Sequence, residues 1–170
     1  MDRLWLTLAM VAVILLAAGG LWWGWRNRAA RQSDLPDLVA VPTLDAPDLI
    51  EPLTGLYVST TVSGRWQDRI VAHGLGRRAK AVAHLRDDGV LIDRIGDEPI
   101  FIPIAALHGI RTAPGIAGKV MATPTGILVF TWVLGDVTLD SGVRADDLDD
   151  QRAWLAAVKS RLDSTDGASA

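Results

Sequence analysis

The chain has 170 residues, contains no cysteine and carries a formal net charge of −3. That length holds one domain of ordinary size with extensions. The missing thiols exclude disulfides, zinc–thiolate sites and a catalytic cysteine, and the acidic balance lacks the strong basic excess of a nucleic-acid binder.

The first element is LWLTLAMVAVILLAAGGLWWGW, Leu4 to Trp25, which contains no charged residue. About 20 apolar helical residues cross a bilayer, so the run predicts a transmembrane helix over 4–25 behind a short N-terminus at 1–3. Trp5 at one end and Trp22, Trp23 and Trp25 at the other have the placement of interfacial aromatic belts. A cleaved signal peptide would want a more basic start and a better cleavage site than Leu16-Ala17-Ala18. Arg26, Arg28 and Arg31 follow the span and outweigh Arg3 with the α-amino group. Positive flanks stay inside, which predicts a single-pass protein of the cell membrane with its C-terminal bulk in the cytoplasm.

Residues 26–52 read as a basic flank and a tether. Pro36, Pro42, Pro47 and Pro52 deny a helix, Asp34, Asp37, Asp45 and Asp48 fall between them, and such a segment is extended and semi-rigid.

A domain is expected over 53–163. GLYVSTTV (55–62) has β-forming residues. RRAKAVAHLR (77–86) alternates with period two, Ala79, Ala81, Ala83 and Leu85 on one parity. Asp88-Gly89 is a hairpin turn signal leading into VLIDRI (90–95). PIFIP (99–103) is a short apolar strand, AALHGIRTA (105–113) is ambiguous, and GILVFTWVL (126–134) turns at Gly135-Asp136 into VTLDSGV (137–143). The period then becomes helical, with Leu148, Trp154, Leu155, Val158 and Leu162 spaced for one face. Asp146 or Asp147 can cap this helix, and the following acids suit its positive end. Residues 164–170 are a small polar tail expected to be disordered. About seven short strands followed by one helix make a mainly-β domain, a bent antiparallel sheet with the helix at one open end or edge.

Gly74, Gly76 and Ala79 match the dinucleotide spacing G-x-G-x-x-G/A, and Asp93 follows at a suitable distance. The fingerprint needs a helix opening at its third position. Here a period-two strand follows, so the glycines are assigned to a turn. GIAGK (115–119) lacks the spacing and the Ser/Thr of a phosphate loop and reads as a loop between strands. His73, His84 and His108 have no metal-ligand spacing, and Ser59, Ser63 and Ser141 have no nucleophile-elbow pattern. Asp146, Asp147, Asp149 and Asp150 lack the calcium-loop pattern. No catalytic residue, cofactor or metal is expected.

One group of residues has the composition of a binding patch: Arg65, Trp66, Arg69, Arg77, Arg78 and Lys80. Basic residues near an anionic leaflet contribute about 1 kcal/mol each, and Trp66 suits an interface. The competing reading is a solvated face whose Trp66, Ile70 and Val71 pack inward at i, i+4 spacing.

LYVSTTVSGRWQDRIVAHGLGRRAKA, FIPIAALHGIRTAPGIAGKV and LVFTWVLGDVTLDSGVRA, in that order, resemble the bacterial, actinobacterial, pleckstrin-homology-like (PH-like) domain proteins anchored by one N-terminal helix. The resemblance implies a bent seven-stranded antiparallel barrel capped by one C-terminal helix, and implies no reaction or ligand. The expected function is therefore a non-enzymatic, membrane-anchored interaction module at the cytoplasmic face that binds a protein partner. The alternatives are binding of anionic lipid headgroups through the basic patch, and service as an accessory subunit of a transporter.

Overall fold

The computed structural model describes the backbone of residues 2–32, 35–42, 46–65, 67–120 and 126–167. The chain divides into two compact units, Met1–Asp34 and Leu35–Ala170.

The first unit is one helix, α1 (Asp2–Gln32). It continues past Trp25 through Arg26, Arg28 and Arg31, where the sequence predicts that the helix has ended. Trp5, Met10, Val13, Leu15, Leu16 and Trp22 are exposed, while the side chains of Trp23 and Trp25 lie outside the described residues. Among the described residues no helix is long and apolar enough to cross a membrane, so the expected span over 4–25 finds no support there.

The second unit is built on β1 (Leu53–Val62), β2 (Ala79–Arg86), β3 (Gly89–Arg94), β4 (Ile100–Pro103), β5 (Leu107–Ala113), β6 (Gly115–Ile116), β7 (Lys119–Val120), β8 (Ile127–Leu134) and β9 (Val137–Ala145), followed by α2 (Leu148–Gly167). Seven strands form one antiparallel sheet in the order β4-β3-β2-β1-β9-β8-β5, and β6 and β7 form a separate hairpin. The ambiguous stretch 105–113 resolves into a short 3₁₀ turn, Ile104–Ala106, and then β5. The β6–β7 hairpin occupies the stretch expected to be a loop.

The sheet bends on itself. Val90, Ile92, Ile100 and Ile102 from one end share a core with Leu107, Ile110, Leu128 and Phe130 from the other, and α2 adds Trp154 and Val158. The Trp154 and Phe130 rings meet edge to face at 6.4 Å, an arrangement worth about 0.5–1.5 kcal/mol beyond burial. Asp147 caps α2 by accepting the backbone N–H groups of Asp149 and Asp150. One position of the helical pattern departs from expectation: Leu148 is exposed at 42 %, and Gln151, like Trp154, is buried. α2 runs on to Gly167, beyond the expected end near Asp163.

A register shift in β1 orders the interior. Strict alternation places Leu53 and Tyr57 inward, but the pairing of β1 with β9 slips between Tyr57 and Ser59. An extra residue in one strand reverses which face the next residues take. Thr60 therefore follows Tyr57 inward, while Val58 turns outward into a small second cluster with Ile116, Ile127 and Val129.

The result is a buried thread of hydrogen bonds. Trp132 Nε1 lies 2.9 Å from Ser141 Oγ, which contacts Thr60 Oγ1. Thr60 Oγ1 lies 2.7 Å from the Tyr57 hydroxyl, and that hydroxyl lies 2.7 Å from the Leu75 carbonyl. An indole only donates and a carbonyl only accepts. The protons therefore run one way: Trp132 donates to Ser141, Ser141 to Thr60, Thr60 to Tyr57, and Tyr57 to Leu75. Four hydrogen bonds in series tie β8, β9 and β1 to the loop before β2.

Burial pushes the Tyr57 phenol well above its ordinary range, partly offset by the hydrogen bond to Thr60 and by the Arg94 and Arg69 charges. A raised folded-state value favours the native state below the unfolded pKa of about 10 and loses that contribution as pH rises through the folded value. Tyr57 is the only tyrosine, so an alkaline absorbance titration reads it alone. Tyrosinate is expected to appear only together with unfolding, as followed by circular dichroism; ordinary titration near pH 10 in the folded protein would show the thread to be open.

Candidate interaction surface

The loop between β1 and β2, residues 63–78, carries most of the basic group predicted from sequence. Its inner side is fixed by the thread and by Arg94. The Arg94 guanidinium stacks over the Tyr57 ring at 5.1 Å. Its Nε donates to the Glu98 carbonyl at 2.8 Å and its Nη1 to the Gly74 carbonyl at 2.7 Å. One buried arginine at the end of β3 thus holds two loops together, those on either side of the sheet's β2–β3 pair. Arg94 is 1 % exposed, and no carboxylate among the described residues forms an ion pair with it. Its charge is met by carbonyl dipoles and a ring face, which suits the weakly hydrated guanidinium and would not suit an ammonium.

The two glycines of the loop have separate reasons. Gly74 adopts φ +66° after His73, itself at φ +53°, and glycine takes this left-handed conformation at least cost. Gly76 lies where a Cβ would meet the Ile70 carbonyl oxygen at 2.7 Å, so it serves close backbone approach. β2 follows directly as a strand, in agreement with the rejection of a dinucleotide site.

The structure divides the basic group. Arg65 pairs with Asp68 at 3.6 Å, both exposed. Arg77 pairs with Asp97 at 3.0 Å. Arg69 is half-buried, its side chain packed close to Gly76. Arg78 and Lys80 are exposed, and among the described residues neither forms an ion pair. Trp66 lies outside the described residues. Ile70 is buried as the packing reading expects, while Val71 is exposed. Two of the five cations are therefore locally neutralised, so the patch is weaker than its composition.

The remaining candidates lie apart from one another. His108 is exposed on β5. His73 approaches the Leu35 carbonyl at 3.5 Å. His84 Nδ1 donates to Asp48 Oδ2 at 2.9 Å. Asp149 pairs with Arg152 at 3.0 Å on the exposed start of α2. Among the described residues no group of His, Asp and Glu could hold a metal ion.

Residues 35–42 and 46–52, read from sequence as part of a tether, lie on the domain. Leu35, Leu38 and Ile50 pack against the main core. Asp48 meets both His84 and Arg86. The Leu49 N–H donates to the Leu85 carbonyl at 2.8 Å, and Trp154 Nε1 donates to the Glu51 carbonyl at 2.9 Å. Prolines still prevent a helix, as expected, but leucines and isoleucines between them find the core. This strap was missed because its composition is also that of a free linker; the apolar residues at 35, 38 and 50 were the available signal.

A bent seven-stranded antiparallel sheet with one C-terminal helix against its core is the architecture of a PH-like domain. The chain belongs to the Bacterial PH domain-like family, whose model matches residues 35–159. The match begins at Leu35 and so takes in the strap as well as the sheet. No curated protein and no solved structure matches the chain.

Replacing Arg94 by lysine is expected to lower stability by about 1.5–3 kcal/mol, the scale of hydrogen bonds to a charged group, and to speed hydrogen exchange at the Leu75 and Arg77 amides. Arg77→Ala, which removes a largely exposed cation, should cost about 1 kcal/mol or less. Equal effects in denaturant unfolding would contradict the assignment of Arg94 as the residue that holds the loop.

Proposed function

We propose that this protein is a non-enzymatic interaction module, held at the cytoplasmic face of a membrane by its N-terminal helix, that takes an extended segment of a partner protein along β5. The observation that carries the reading is the position of β5 in the sheet. It is an end strand, paired with β8 on one side only, and it exposes His108, Arg111 and Thr112. An edge strand offers a row of backbone donors and acceptors to any extended chain. β4, at the opposite edge, is four residues long and ends at Pro103, which makes it the poorer template.

The anchoring part of the reading is supported by the uncharged run Leu4–Trp25 and by the exposure of consecutive apolar residues Val13, Ile14, Leu15 and Leu16. Consecutive helical residues point in different directions, so the apolar surface is not confined to one stripe. Water disfavours such a surface, and a lipid phase covers it. Family membership supports the interaction role, since PH-like domains generally serve as binding modules. Arg78 and Lys80 support a second reading, contact with anionic headgroups. Service beside a transporter is one form the protein partner could take.

Three measurements test this. The full chain should remain with membranes after a high-salt wash, while residues 35–170 should be soluble; release of the full chain would overturn the anchor. A photo-crosslinker at Thr112 should capture a specific membrane-associated protein that a crosslinker at Lys80 does not, and equal or absent capture would overturn the β5 reading. Residues 35–170 should not sediment with anionic vesicles at physiological salt. Salt-sensitive sedimentation, lost in an Arg78→Glu, Lys80→Glu variant, would favour the headgroup reading instead.

A further inference from the structure

We infer that Asp97 is a movable counter-charge. It holds the exposed Arg77 in the present state, and it passes to the buried Arg94 when an anionic oxygen group takes Arg77. The β1–β2 loop thereby carries a two-position charge switch that links its surface to the interior thread. The inference concerns the end of β3 and the loop that Arg94 holds, so it does not depend on the β5 reading.

Three charged residues converge on Gly74. Arg94 Nη1 donates to the Gly74 carbonyl at 2.7 Å, and the Arg77 N–H donates to the same oxygen at 3.1 Å. Asp97 stands in the turn after β3, and its N–H donates to the Arg94 carbonyl at 3.1 Å. Its backbone is therefore fixed beside Arg94. Gly74 has no Cβ, and the space that a Cβ would fill is bordered by Arg94 Nη2 at 3.7 Å, Asp97 Oδ1 at 3.8 Å and Arg77 Cδ at 3.9 Å. Asp97 Oδ1 and Arg94 Nη2 thus border one small gap. The carboxylate is turned outward across it, to Arg77 Nη1 at 3.0 Å. A change of side-chain rotamer moves a carboxylate by a few ångström, which carries it from one arginine to the other.

The two ends of the switch have unequal needs. Arg94 is 1 % exposed, and its Nη2 has no hydrogen-bond partner among the described residues. Buried charges are ordinarily paired, and a buried donor left unmet destabilises the fold. The inner end therefore calls for an acceptor. At the outer end, the Arg77 side chain is 72 % exposed and that of Asp97 13 %. An ion pair with one partner in solvent is worth little, so a competing anion displaces Asp97 from Arg77 easily. Asp97 is already largely desolvated where it stands. Turning inward loses it little further hydration, and the pair it forms there is screened less. Arg77 then joins Arg78 and Lys80, both exposed, as a cationic edge to the loop. By linkage, whatever anion occupies Arg77 also tightens the hold of Arg94 on Gly74 and on the Tyr57 ring.

The test uses the full chain in detergent and follows the Arg94 guanidinium protons by NMR. The Thr60 and Ile70 amides, bonded to the Leu75 and Thr60 carbonyls, report whether the sheet is intact. Arg77→Ala releases Asp97. It should slow exchange of the Arg94 Nη2 protons by about tenfold or more, the scale of a hydrogen bond to a charged group, and shift their resonances. Arg77→Lys keeps a cation for Asp97 and should leave Arg94 as in the unaltered chain. Adding Asp97→Asn to Arg77→Ala should remove the effect. Unchanged Arg94 protons in Arg77→Ala, or a change that survives Asp97→Asn, would overturn the switch. Loss of protection at Thr60 and Ile70 in Arg77→Ala would overturn it too, by making Arg77 part of the fold. The trigger is tested on the unaltered chain, with sodium sulfate against sodium chloride of equal ionic strength, and in phosphatidylglycerol against phosphatidylcholine bicelles. A response of the Arg94 protons to sulfate assigns the switch to a free anion, and a response to phosphatidylglycerol alone assigns it to a headgroup. No response to either, or an equal response to chloride, sinks the trigger.

Discussion

The proton order of one hydrogen-bonded thread governs this domain. Trp132 can only donate and the Leu75 carbonyl can only accept, so the three hydroxyls of Ser141, Thr60 and Tyr57 between them must all point the same way. Buried hydroxyls are tolerated when every one is satisfied, and chains of them polarise one another. The register shift in β1 exists in the same place for the same reason: without it Tyr57 and Thr60 would face opposite sides of the sheet. With it, the phenol reaches Leu75 and sets the height of the β1–β2 loop. Arg94 then closes over the phenol ring and holds Gly74 from below. The surface that the loop presents is thus determined from the interior outward.

That surface is less cationic than the count of arginines implies. Asp68 and Asp97 each take one cation, and what is left exposed and without an ion pair among the described residues is Arg78 with Lys80. β5 ends the sheet, pairing with β8 alone, and α2 packs against it. Asp48 sits between His84 and Arg86 at a closed face. The assignment to the Bacterial PH domain-like family agrees with a module whose work is binding.

Much of the architecture is legible in the sequence because alternation and helical spacing are local. β2 is visible from Ala79, Ala81, Ala83 and Leu85, the β2–β3 turn from Asp88-Gly89, and the capping of α2 from Asp147. The register shift is invisible in TGLYVSTTV, since every residue there suits a strand on either face. The thread is equally hidden: Ser141 and Thr60 meet only because β9 lies beside β1, 81 residues away in the chain. In the basic group, sequence identifies the cations and misses the acid that neutralises Arg77, because Asp97 arrives from the turn after β3. Helical spacing puts Leu148 on the apolar face, yet Leu148 is exposed and Gln151 is buried.

The place of β1 between β2 and β9 also fixes the order in which this domain can assemble. β2, β3 and β4 follow one another through short connections and can pair as soon as they leave the ribosome. β1 cannot gain its second neighbour until β9 has been made, and the Glu51 carbonyl waits for Trp154, 103 residues later. Contacts of such long sequence separation close late and slowly. During synthesis, then, the N-terminal helix and the strap emerge long before there is a completed sheet to receive the strap. The growing chain exposes one unpaired edge of β1 for that whole interval, a state in which edge pairing with other chains competes with folding.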